Sequence, residues 1–542
     1  MGAGSAADGN GDVGRPGLPQ KTTSICPECL EVLPAELYER EGKVWMAKRC
    51  PRHGEFVELI SSDAAFFEKM DRWDWEYPAE LEHQDVASKN GCPNDCGLCP
   101  SHRSRAMMIN IDLTNRCNLD CPVCFANANR SGRVYEVTVE QIRRMLDASV
   151  AAYGDAPPCV QYSGGEPTVH PDFLEVLRIS KEAGFAQIQA ATNGLKFARD
   201  PGFARAASEA GLNVAYLQFD GVSDEVYRRT RGRPLWELKQ RAVENIAGAG
   251  MQICLVPTVA RGVNDHQIGA IYRFALEHID AVAAISWQPV VFTGRIDFQQ
   301  RLAMRFTNAD LARCLEEQTG GEVAMDRDWY TLSFVEPFSK LVEAITGERQ
   351  AAVSCHRHCG LGTYVVVGRD GRRGYPIPKF IDVEALMGRM HELAAKLGQR
   401  RWFKKLTLMR ALNDLPAMFR PDQAPDGWDT RVLLDFMNAF VDFRRRYPDN
   451  TARIEDVKQT GWRYLLMVAM HFQDVYNYQL PRVQRCVIHY AAPDGRFYPF
   501  CTYNCGPNFR ERVERACSRP IGASIPATAG APAASEISAG RR

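Results

Sequence analysis

The chain has 542 residues, 45% hydrophobic and 24% charged, with 66 basic side chains balancing 66 acidic ones. A formal net charge of zero removes any global electrostatic case for a nucleic-acid partner. No run approaches the roughly 18 apolar residues of a membrane-crossing helix. The opening MGAGSAADGNGDVGRPGLPQ lacks the basic start and apolar core of a secretory signal, which points to a cytoplasmic protein.

Residues 1–20 and 519–542 are rich in Gly, Ala, Ser and Pro and read as disordered tails. The 18 cysteines between them fall mostly into groups. In a large chain without an export signal, grouped cysteines hold metal more often than disulfides.

The first group lies in a small N-terminal metal-binding unit over 21–88. CPEC supplies Cys26 and Cys29, and CPRH supplies Cys50 and His53. Two such knuckles offer four soft or borderline ligands to one mononuclear ion, zinc or iron, in a closed tetrahedral shell.

Two further groups share the spacing C-x3-C-x2-C: Cys92, Cys96 and Cys99 in the loop 89–104, then Cys117, Cys121 and Cys124. That spacing wraps three corners of a [4Fe–4S] cluster. Cys355, Cys359, Cys486, Cys501 and Cys505 are scattered through the C-terminal region, 301–518. With Cys92, Cys96 and Cys99 they make eight, enough for two fully ligated clusters. Which set Cys355 and Cys359 join stays open, as does a second zinc using His356 or His358.

Over 105–300 six apolar runs read as strands: 107–112, 159–163, 186–191, 214–220, 253–259 and 284–290. Helical patterns separate them. Val137, Ile142, Met145, Leu146 and Val150 share one face; Phe173, Val176, Leu177 and Ile179 share another. The fold class is α/β: a partial (β/α)6 TIM-like barrel of parallel strands with right-handed crossovers. Its chemistry belongs at the C-terminal strand ends. The second strand ends in SGGEP, the third in TNG, the fourth in Gln218 and Asp220, the fifth near Thr258 and the sixth at Gln288.

C-x3-C-x2-C after a first strand, with GGEP after the second, resembles the radical S-adenosylmethionine (SAM) superfamily over residues 105–295. The resemblance implies that Cys117, Cys121 and Cys124 ligate a cluster whose fourth iron chelates SAM. One electron then splits the cofactor to a 5′-deoxyadenosyl radical. It also implies that Gly164, Gly165 and Glu166 line the methionine moiety, with Glu166 near its ammonium, and that Asn193, Gln218 and Asp220 contact ribose or substrate. The aromatic that many members carry before the third cysteine is Val123 here; Phe125 follows it and is counted with the cofactor contacts.

The order of all cysteine blocks, over 24–510, resembles one subgroup: the archaeal tetraether lipid synthases and their bacterial relatives, earlier described as pterin-linked class D radical methylases. This implies two auxiliary [4Fe–4S] clusters beside the SAM-binding one. It also implies an electron donor such as ferredoxin or flavodoxin, and a lipid-like substrate whose two chain ends are joined by a carbon–carbon bond. Radical methylation of a pterin or related heterocycle is the alternative enzyme reading, and a multi-cluster electron-transfer protein the non-enzyme one. The segment 385–418 reads as a basic amphipathic helix. With Arg400, Arg401, Lys404, Lys405 and Arg410 beside Trp402 and Phe403, it offers peripheral contact with the inner membrane face. The segment 462–480 reads as a helix that lines a tunnel or a core.

Overall fold

The computed structural model describes residues 17–75, 77, 84, 86–153, 159–297, 299–350, 352–368, 371–398, 415–441 and 461–521. Four antiparallel strands come first: β1 (Gln20–Ile25), β2 (Val32–Arg40), β3 (Lys43–Cys50) and β4 (Gly54–Ser61), paired in sequence order. Period-two alternation puts Ala35, Leu37, Val44 and Met46 on one face, closed by Ile60 and by Ala64 and Phe67 of α1 (Ala64–Arg72). Gln20 therefore begins a strand rather than ending a disordered tail. At the other end, Arg519 and Pro520 pair with Val134 and Arg133, so the described part of that tail is also ordered.

The six expected strands form as β5 (Met108–Thr114), β6 (Cys159–Gly164), β7 (Gln187–Thr192), β8 (Val214–Gln218), β9 (Gln252–Val256) and β10 (Val282–Pro289). All pair in parallel, in that order. Their helices include α2 (Val139–Tyr153) and α3 (Phe173–Glu182), which bury Ile142, Met145 and Leu146, and Phe173, Val176, Leu177 and Ile179. α4 (Trp236–Gly248) and α5 (Ile268–Glu277) follow. The helices cover one face of the sheet, as parallel strands buried on both sides require.

The C-terminal region adds strands as well as helices. After β11 (Gly360–Val367) comes β12 (Arg463–Met470), which runs parallel to β10 and antiparallel to β11. β13 (Ile488–Ala491) runs parallel to β5. Among the described residues the parallel sheet thus has eight strands, in the order β13, β5 to β10, β12. The expected helix at 462–480 is corrected. Its first half is a strand, with Leu465, Met467 and Ala469 buried in the main core and Leu466, Val468 and Met470 facing a cavity. The expected amphipathic helix begins as α6 (Val383–Gly398), whose Leu386, Met390, Leu393 and Leu397 pack into a second core. Its basic and aromatic stretch, 400–410, lies outside the described residues. Among the described residues no helix is long and apolar enough to cross a membrane.

Candidate active site

One cavity of about 1390 Å³ runs through the sheet's concave side, from the cysteine loop at the C-terminal strand ends to Gln187, Gln252 and Asp280 at the opposite ends. A single ligand pocket typically measures about 300–1,000 Å³, so this one has room for two ligands.

Cys117, Cys121 and Cys124 lie on the loop after β5 and line this cavity. All three share an apolar patch with Leu119, Leu195, Tyr227 and Leu235. Burial pushes the Cys117 thiol up to about 12, so metal must draw the proton away before the sulfur ligates. Several groups that were not evident in the sequence shape the loop. Asn129 accepts from the Cys117 N–H at 2.9 Å and donates to the carbonyls of Cys117 and Leu119, both at 3.1 Å. Its φ of +67° suits the Asn tolerance for left-handed backbone. Cys124 and Arg295 exchange two backbone hydrogen bonds, at 3.1 and 2.9 Å.

The SGGEP turn lies against the same loop. Gly165 N–H donates to the Thr114 carbonyl at 2.7 Å and Glu166 N–H to the Arg116 carbonyl at 2.9 Å. A Cβ on Gly164 or Gly165 would strike the Thr114 or Arg116 carbonyl, and Gly164 has φ of +121°. The glycines thus serve close backbone approach and also line the cavity. Glu166 is buried and turned towards protein donors. Its Oε1 accepts from the hydroxyls of Thr168 at 2.6 Å and Thr192 at 2.7 Å, and its Oε2 from the Asn193 N–H at 2.8 Å. The carboxylate therefore ties SGGEP to TNG, with Oε2 the less occupied oxygen.

Asn193 lines the cavity and donates to the Asn118 side chain at 2.6 Å. Gln218 also lines it, held by Asp220 at 2.6 Å and by Lys239 of α4 at 3.2 Å. Asp220 is corrected: it is fully buried and engaged by Arg231, Thr230, Gln218 and the Thr258 N–H. With its lone pairs so occupied it positions the loop rather than touching a ligand. Phe125 lines the cavity and stacks on Phe500, ring centroids 5.5 Å apart.

The ribbon donors Cys26, Cys29, Cys50 and His53 lie within 4.8 Å of one another. A tetrahedral zinc, with Zn–S of about 2.3 Å and Zn–N of about 2.0–2.1 Å, separates two sulfurs by about 3.8 Å and sulfur from nitrogen by about 3.6 Å. The observed Cys29–Cys50 separation is 3.8 Å, and His53 Nδ1 lies 3.5 Å from Cys26 and 3.4 Å from Cys50. The residues fit the ion.

The eight cysteines expected to hold auxiliary clusters fall into groups whose charges act on one another. Burial raises the thiols of Cys355, Cys486 and Cys501, and each is raised further by charge on a neighbour in the set Cys355, Cys359, Cys486 and Cys501. Burial likewise raises Cys92 and Cys96, with charge on Cys99 adding to the first and charge on Cys92 and Cys99 to the second. Cys505, Cys92 and Cys501 share an apolar cluster with Tyr478, whose hydroxyl is raised by burial and by charge on Cys96, Cys505 and Cys501. Cys355 and Cys359 therefore fall in one group, and Cys505, which shares an apolar cluster with both Cys92 and Cys501 and is raised by charge on Cys501, borders both. His358 does not join a zinc site here: it bonds Asp71 at 2.8 Å and stacks on Phe67 at 3.8 Å.

The model of the radical SAM superfamily matches residues 111–275, and that of the HMPTM N-terminal zinc ribbon domain matches residues 18–62. The chain is 41% identical over 505 residues to the 7,8-dihydro-6-hydroxymethylpterin dimethyltransferase of Methanocaldococcus jannaschii, covering 93% of this chain and 96% of that protein. It is 27% identical over 179 residues to a probable GTP 3′,8-cyclase of Methanothermobacter thermautotrophicus, covering 32% of this chain and 56% of that one. Streptococcus suis SuiB aligns with a TM-score of 0.33 at 18% identity, covering 40% of this chain and 47% of that one. The near full-length likeness to a pterin dimethyltransferase overturns the expected coupling of lipid chains. The cysteine blocks that suggested coupling specify clusters rather than substrate. The cavity also buries side-chain amides of Asn110, Gln161 and Gln189, beside which an alkyl chain would leave polar groups unpaired.

Proposed function

The chain belongs to the radical SAM family that includes the Methanocaldococcus jannaschii 7,8-dihydro-6-hydroxymethylpterin dimethyltransferase, and on that premise we propose that it transfers methyl groups to carbon atoms of a reduced pterin. The carrying observation is identity spread over 93% of the chain and 96% of that relative, from ribbon to last cysteine block. Cys117, Cys121 and Cys124 would hold the SAM-binding [4Fe–4S] cluster, which with SAM supplies radical chemistry at unactivated carbon when bound. Gly164 and Gly165 keep the rim open by approaching the loop without side chains. Glu166 holds the two turns together, and its Oε2, with a single partner, is the oxygen left with capacity for a cationic group. Asp220, Arg231 and Lys239 fix the loop and the adjoining strand ends.

Two auxiliary clusters belong to the proposal: one on Cys355, Cys359, Cys486 and Cys501, whose charges act on one another, the other on Cys92, Cys96, Cys99 and, by count, Cys505. Zinc in the ribbon braces the second half of the chain. Lys48 donates to the Val475 and Tyr476 carbonyls at 3.1 and 2.8 Å, three and two residues before the Tyr478 that shares an apolar cluster with Cys505. Profiling pterins and lipids in cells with and without the gene tests the proposal. Loss of methylated pterins with unchanged lipids is expected; unchanged pterins would overturn it.

A further inference from the structure

We propose that Asn110, Gln161 and Gln189 form the substrate-recognition row of the barrel, their side-chain amides hydrogen-bonding the polar edge of a flat, reduced two-ring heterocycle. The identity of that heterocycle as a dihydropterin rests on the methyltransferase reading; the row itself rests on geometry.

The three residues sit on β5, β6 and β7 in direct register, Asn110 opposite Gln161 and Gln161 opposite Gln189. All three line the cavity and are only 1%, 6% and 8% exposed. Among the described residues, the side-chain carbonyl oxygen of each is buried with no hydrogen-bond partner. Burying one such oxygen without a donor is unfavourable; three amides side by side with that deficit are a polar row the fold itself does not satisfy. The strands' other faces carry what a purely structural position needs, since Ile109, Ile111, Val160, Tyr162, Ile188 and Ala190 are buried in the main core. Asn110 also reaches the Tyr490 hydroxyl; the amides of Gln161 and Gln189 bond no group of the protein among the described residues, so their polarity is addressed to an occupant of the cavity.

An aromatic cluster stands beside the row. Phe125 and Phe472 stack on Phe500 at 5.5 and 4.0 Å, and Tyr490, which pairs in register with Asn110, packs on Phe500 at 5.5 Å. All four rings line the same cavity. Two inter-strand spacings span about 10 Å, the reach of a fused two-ring heterocycle with its substituents. Asn110 lies four residues before Thr114, or roughly 13 Å below the rim, which leaves the upper cavity for the cofactor. A 7,8-dihydropterin presents ring N–H groups and an exocyclic amine along one edge. That edge meets the row of amides while the ring packs on the aromatic cluster.

The test uses the full chain, anaerobically reconstituted. Gln161→Met and Gln189→Met remove the carbonyl at nearly constant volume, and Asn110→Leu does so with a branched isostere. Affinity for 7,8-dihydro-6-hydroxymethylpterin and for SAM is measured by equilibrium dialysis, with thermal unfolding alongside. The proposal expects pterin affinity to fall at least about tenfold in each variant, with SAM affinity held and the melting temperature equal or higher. Pterin affinity within about twofold of wild type would overturn it, and so would a lowered melting temperature with loss of both ligands, which marks a structural role. If the wild type binds no dihydropterin, the methyltransferase reading fails and the ligand assigned to the row fails with it. If the wild type binds and methylates dihydropterin while the variants do so equally well, only the row is wrong.

Discussion

Arg231 grips both carboxylate oxygens of Asp220, at 2.5 and 2.9 Å, and donates from its remaining nitrogen to the Val123 carbonyl inside the cysteine loop at 3.1 Å. One buried ion pair thereby fixes the backbone between two of the three loop cysteines. Asp220→Asn leaves a buried guanidinium poorly paired, which costs about 3–5 kcal/mol. Urea denaturation should show that loss, and the absorbance of the loop's cluster should fall with it. Unchanged cluster loading would remove the pair from its positioning role.

The same pair sets an acid limit. Burial alone would raise the Asp220 carboxyl, but Arg231 beside it wins and holds it below its ordinary 3.8. A depressed carboxyl contributes stability that is present above the unfolded value and lost as pH falls through the folded one. Wild type should therefore lose stability below pH 3.8 more steeply than Asp220→Asn. Parallel acid unfolding curves would contradict this.

The ribbon model, residues 18–62, is too short to rely on its own core. Structural zinc contributes about 10–16 kcal/mol of apparent binding free energy in small fingers. Cys29→Ala should lower the melting temperature and, through the Lys48 contacts with Val475 and Tyr476, loosen the segment before Cys505. Differential scanning calorimetry with metal analysis checks this. An unchanged transition in zinc-free protein would show that the ion has no bracing role.

The division of the eight C-terminal and loop cysteines makes a counting prediction. Cys359→Ala and Cys486→Ala together should lose one cluster's worth of iron, no more than a single variant that abolishes that cluster. Cys359→Ala with Cys505→Ala should lose two. Equal losses in both double variants would show that the sets are drawn wrongly.

Much of this architecture is legible in the sequence, because near-continuous apolar runs between amphipathic helices specify a parallel sheet, and all six expected strands form within a few residues of their expected bounds. The run 462–470 misleads because both its faces are apolar: Leu465 and Met467 face the core and Leu466 and Val468 the cavity, so no period distinguishes strand from helix. Arg231 looks like part of a solvated basic run, RRTRGR, until the fold turns it onto Asp220. Asn110, Gln161 and Gln189 are visible in the strands, but an isolated amide carries no signal; only the register brings them into one row. The substrate was misread for a related reason: the cysteine spacing encodes how clusters are held, and the groups that choose the substrate lie elsewhere.

The most direct measurement is the product of a single anaerobic reaction containing reconstituted protein, reductant, SAM with a labelled methyl group and 7,8-dihydro-6-hydroxymethylpterin. The account predicts 5′-deoxyadenosine together with a pterin that has gained methyl groups on carbon, the label reporting whether SAM is their source. Release of 5′-deoxyadenosine with the pterin recovered unmethylated, under conditions in which the full cluster content is verified, would contradict it.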